Sequence, residues 1–243
     1  MRSESSSSLA DRKSAVDPLI LARVAPFGLF MIFVGINEGL HFLIAKGFLT
    51  LAPETLLFLY IPRIAAVAAV LWYFRADYPE LRFSDLKRWA PTSFSIVAGL
   101  IVFVLWIQMT WPFAIFGSLN SDAPTAIREP SLRLVFIAFR LIGAALVVPV
   151  MEELFWRSFV VRYIIRADFD KVPVGVFTVA SFCISAVLFG MEHNLWLAGI
   201  MAGAVYNLIL YKTRSITQCI VAHGVTNGVL GIWVLITHAW QFW

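Results

Sequence analysis

Long apolar stretches constrain this chain more than any other feature. They run over residues 19–45, 54–74, 91–111, 132–165, 173–192, 195–211 and 216–240. Several exceed the about 20 helical residues needed to cross ~30 Å of hydrocarbon. None alternates between apolar and polar side chains, so the spans read as helices rather than as strands of a barrel. Composition agrees: 60% of the 243 residues are hydrophobic and 14% charged, where soluble domains run near half and a quarter. The expected fold is therefore all-α, a polytopic transmembrane bundle of seven to eight helices around a buried polar site. The stretch 132–165 is too long for one straight crossing, and Pro149 in its middle predicts a kink or a break. The opening MRSESSSSLADRKSAVD (1–17) is polar and Ser-rich and reads as a disordered tail. Residues 18–243 remain as one transmembrane domain, with an irregular loop at 112–131.

Charge orients the bundle. The net charge of +4 does not suggest a nucleic-acid partner, because its meaning lies in how the loops share it. With seven crossings, one side holds Arg2, Arg12, Lys13, Arg75, Arg82, Lys87, Arg88, Arg162, Arg166, Lys171, Lys212 and Arg214, and the other holds Lys46, Arg128 and Arg133. Twelve against three predicts a cytoplasmic N-terminus. An eight-crossing topology would move the last five of the twelve outward. Cys183 and Cys219 show no metal-type spacing and read as small core residues. Trp106, Trp111, Trp240 and Trp243 read as interfacial anchors.

Ionisable residues inside the spans are costly, about 2.5–3.5 kcal/mol each at the bilayer centre on lenient scales, so their pattern is informative. In EELFWR, Glu153 and Arg157 are four apart and can neutralise each other on one helix face. Glu152 points about 100° away and lacks a partner in its own helix. Phe189 and His193 in FGMEH, and His223 and Asn227 in HGVTN, repeat the four-residue spacing. The bland alternative for each is a buried ion pair or a satisfied core histidine. Glu38 and His41, with Asn37, form a second polar group, but it lacks the further ligands of a di-iron bundle. Arg63 and Arg140 need partners, with Glu38 and the acidic pair as candidates, and Glu192 has no assigned role.

Together EELFWR, FGMEH and HGVTN resemble, in order, the EExxxR, FxxxH and HxxxN motifs of the CAAX prenyl protease and bacteriocin-processing family of intramembrane proteases. The resemblance covers roughly residues 149–227. The compact length also looks like a bacterial branch found alongside exosortase sorting systems. It implies a peptidase of the bacterial plasma membrane, acting on a protein or lipidated peptide. Carried over, Glu152 is the general base, His193 helps hold the attacking water, and His223 with Asn227 stabilises the oxyanion. Glu153, Arg157 and Phe189 support them.

The residues leave the cofactor open. A metal-free carboxylate mechanism needs only nearby donors and positive charge, whereas Glu152, His193 and His223 could instead bind zinc with an open water position. A helix starting at 173 would put His193 ~30 Å from its basic end, against ~21 Å for Glu152 and ~11 Å for His223. Convergence therefore requires residues 173–177 to be interfacial and the last helix to begin near Lys212. The rival function is a non-catalytic maturation or immunity factor, or a transporter. Against a transporter, the polar residues concentrate in one half of the chain rather than in paired repeats.

Overall fold

A computed structural model describes residues 17–117 and 123–243; most of the N-terminal tail, with Arg2, Arg12 and Lys13, lies outside them. Asp17 caps the first helix, its carboxylate accepting from the Leu19 amide at 2.8 Å. The described residues are helical, without strands. Among the described residues, five helices are long and apolar enough to cross a membrane: α1 (Pro18–Ala45), α2 (Glu54–Tyr73), α3 (Trp89–Gln108), α4 (Pro130–Ile165) and α7 (Ile216–Thr237). Between the last two lie α5 (Val179–Met191), of 13 residues, and α6 (Trp196–Thr213), of 18. Fewer helices therefore qualify by length and composition than the seven crossings expected. Their outer faces expose Ile32, Trp72, Leu134, Leu146 and Ile236, a surface suited to lipid rather than water. The protein is an integral membrane protein.

Of the kink or break expected at Pro149, the break does not occur. The helix runs from Pro130 to Ile165 with π-helical segments at Gly143–Val147 and Leu154–Val160. Pro149 cannot donate to the carbonyl of Ala145, and a widened turn just before it accommodates the loss. The carbonyls there face α7. Asn227 donates to Ala144 O at 3.0 Å, and a Cβ on Gly224 would stand 2.8 Å from Ala145 O. Glycine there lets the two backbones meet.

Close approach also joins α5 to α6. A Cβ on Gly190 would lie 2.6 Å from Trp196 O, and one on Gly199 would lie 2.8 Å from the Gly190 Cα. Cys219 is buried in the core as expected, but Cys183 is exposed, because α5 packs its Ser181 and Ser185 side inward instead.

Linkers group the helix ends. At one end Arg23 of α1 meets Glu80 at 2.7 Å, and Arg162 donates to Val172 O at 2.7 Å. There too Gln218 Nε2 donates to Asp85 O at 2.9 Å. At the other end the Phe116 amide donates to Asn194 O at 2.7 Å. The depth mismatch is resolved differently from expectation. Residues 173–177 lie outside the helix, so α5 starts at Val179 and His193 comes ~21 Å along, level with Glu152. But α7 starts at Ile216, not near Lys212. His223 reaches the same depth because the turn before α7 is itself sunk: Ser215, Ile216, Thr217 and Gln218 are all buried, beneath the 82–88 linker.

Candidate active site

Glu152 and Glu153 leave α4 on different sides. Glu153 is wholly buried, and its Oε1 accepts from Arg157 Nη1 at 3.2 Å and from His223 Nδ1 at 2.9 Å. Arg157, 1% exposed, also donates to Gly203 O of α6 at 3.1 Å. Its guanidinium lies over the rings of Phe189 and Tyr206, at 4.5 and 5.3 Å. A buried cation here is thus matched by one carboxylate, one carbonyl and two ring faces. Because Glu153 engages Nδ1, His223 turns Nε2 toward Glu152, 3.8 Å from Oε2. That Glu152 oxygen is buried with no hydrogen-bond partner.

His193 is not on a helix. It follows the end of α5, in the turn before α6, where its Nδ1 lies 2.8 Å from Phe189 O. The four-residue spacing survives because the backbone closes one last turn there. Glu152, Phe189, His193, His223 and Asn227 all line one cavity of about 240 Å³. Asn227 spends one amide hydrogen on Ala144 O, which leaves its other hydrogen available.

Residues 134–229 match the family described as Rce1-like, type II CAAX prenyl endopeptidase. This match over part of the chain supports the resemblance to the CAAX prenyl protease family. No curated protein and no solved structure matches it. The match supports, at the family level, a CAAX-type protease within the membrane. The matched segment contains all seven motif residues, whereas α1, α2 and α3 lie outside it.

Several neighbours of this site carry no motif. Trp106, read from sequence as an interfacial anchor, instead meets His193 edge-on at 5.3 Å. Trp243, read the same way, lines the cavity. Tyr206 stacks on His223 at 4.9 Å, and its hydroxyl lies 2.9 Å from Thr226 Oγ1. Glu192 accepts from Trp156 Nε1 at 3.0 Å. Its position beside His193 in the sequence was the one available signal for it.

Beside the zinc set that the sequence left open, Glu152, His193 and His223, a different group converges. Among the described residues, the ligand atoms of Glu152, Glu192 and His193 lie within 4.8 Å of one another. His223 is held by Glu153 through Nδ1, with Nε2 3.8 Å from Glu152. Two carboxylates and an imidazole suit a divalent cation chemically, and they equally suit a held water.

Proposed function

We propose that the protein is an intramembrane endopeptidase that hydrolyses a peptide bond beside the membrane. Glu152 acts as general base on a water held with His193. His223 and Asn227 donate to the oxyanion that forms on the scissile carbonyl, the kind of contact worth about 3–4 kcal/mol of barrier per donor. The observation that carries this reading is the shared cavity: Glu152, His193, His223 and Asn227 reach it from three separate chain segments. The unpartnered Glu152 oxygen supports the base role, since an acceptor without a donor suits an incoming water. Glu153 gives His223 a defined orientation. With Nδ1 donating to Glu153, the ring can donate from Nε2 only as imidazolium.

The membrane in this reading is a bacterial plasma membrane, with the N-terminus cytoplasmic. In support, Arg75, Arg82, Lys87, Arg88, Arg162, Arg166, Lys171, Lys212 and Arg214 lie on the linkers or adjoining helix ends of one side. A second reading, metal-assisted hydrolysis, is favoured by the approach of Glu152, Glu192 and His193.

Hydrolysis of a prenylated CAAX reporter peptide by the purified protein tests both, with wild type and Glu152→Gln each assayed with and without a zinc chelator. The expected outcome is cleavage that resists the chelator and falls at least about a hundredfold in the mutant. Cleavage lost to the chelator and restored by zinc would establish the metal route. Cleavage unaffected by Glu152→Gln would sink both.

A further inference from the structure

A second cavity, of about 460 Å³, opens between α1, α2 and α4. It shares Arg140, His193 and Trp243 with the cavity that holds Glu152. Two guanidiniums face it: the Cζ atoms of Arg63 and Arg140 each lie 4.6 Å from the centre of the Tyr60 ring. The sequence suggested acidic partners for both, and the structure supplies neither. Among the described residues the ion pairs involve Arg23, Arg157, Arg166, Lys171 and His223. Arg63 Nε is buried without a hydrogen-bond partner. Of the two acids lining this cavity, Glu38 is exposed and Glu192 is bonded to Trp156. Unpaired charge inside a span is expensive, and like charges brought to one ring repel. The aromatic faces offset only part of that.

We propose that Arg63 and Arg140 form a carboxylate receptor, and that its ligand is the free C-terminal carboxylate of the peptide cut beside Glu152. This rests on the peptidase reading above. A guanidinium fork matches a planar carboxylate with two parallel hydrogen bonds, and one anion would compensate both arginines. A chain anchored on them runs past His193 into the cavity of Glu152. Arg140 and Glu152 are twelve residues apart on α4, ~18 Å, a distance that a tail of about five extended residues spans.

The test is binding, independent of cleavage. A dye-labelled apolar peptide, as free acid and as C-terminal amide, is titrated by fluorescence anisotropy against the purified protein in micelles. Wild type should bind the acid roughly tenfold or more tighter than the amide. Arg63→Gln and Arg140→Gln should each bring the acid to the amide's affinity and leave the amide unchanged, with the Lys variants between. Equal affinity for acid and amide in wild type would overturn the proposal, as would a preference that survives both Gln variants. So would a stoichiometric phosphatidylglycerol that wild type retains and both variants lose, without any carboxylate preference; that result would assign the site to a lipid headgroup. If a Gln variant fails to fold, the wild-type comparison and the Lys variants decide. Acid preference without cleavage of the reporter removes the peptidase reading and keeps the receptor. Cleavage indifferent to amidation does the reverse.

Discussion

Glu153 holds two cationic or donor groups on one oxygen, Arg157 at 3.2 Å and His223 at 2.9 Å, all three buried. Its removal strands a guanidinium in the core. Glu153→Ala should therefore cost about 3–5 kcal/mol, read as lost resistance to unfolding in mixed micelles. A cost within ~0.5 kcal/mol would mean that the ring faces of Phe189 and Tyr206 carry Arg157 unaided. At this scale the motif residues were legible because four-residue spacing of charged groups in an apolar run is rare and geometrically specific. Tyr206, Trp106 and Glu192 were not. An aromatic side chain in an apolar helix looks the same whether it faces lipid or a histidine, and only the packing of α3 and α6 on the site decides.

Helix boundaries follow local caps that mean hydropathy does not register. Residues 173–177 are apolar enough to extend a helix on paper, yet Gly175 adopts φ +85° and Thr178 caps α5, accepting from the Ser181 amide at 3.1 Å. The cap was readable; the apolar run hid it. Similarly, α4 begins on Glu129, whose carboxylate accepts from the Leu132 amide at 2.7 Å and the Ser131 hydroxyl at 2.5 Å. Those bonds, Ser131 first, hold its carboxyl below the usual range. Its capping contribution is thus fully present above the unfolded-state value and lost as pH falls through the lower folded one. Hydrogen exchange at Leu132 should lose protection over that acidic window and become flat in Glu129→Gln. The course of α4 through Pro149 was not legible, because a proline predicts a lost hydrogen bond but not whether a widened turn will absorb it.

Across the whole molecule, one end is tied by charge. Arg23 reaches Glu80, Ser158 Oγ, Asp77 O and Leu19 O, and Ser158 in turn bonds Glu80. Arg23 and Glu80 are both nearly inaccessible, 4% and 7% exposed at the side chain. Arg23→Met alone should destabilise by about 3–5 kcal/mol, and adding Glu80→Leu should recover most of that loss. Additive losses in the double variant would show that the two residues act separately. The attachment has a mechanical consequence. In α1 only Ala22, Arg23 and Pro26 are buried, so the helix is a rod clamped near one tip. Asn37, on the wall of the second cavity, stands fourteen residues beyond the clamp, ~21 Å along the axis. Leverage does the rest: a swing of about 5° at Arg23 displaces Asn37 by about 2 Å, more than the radius of a water molecule.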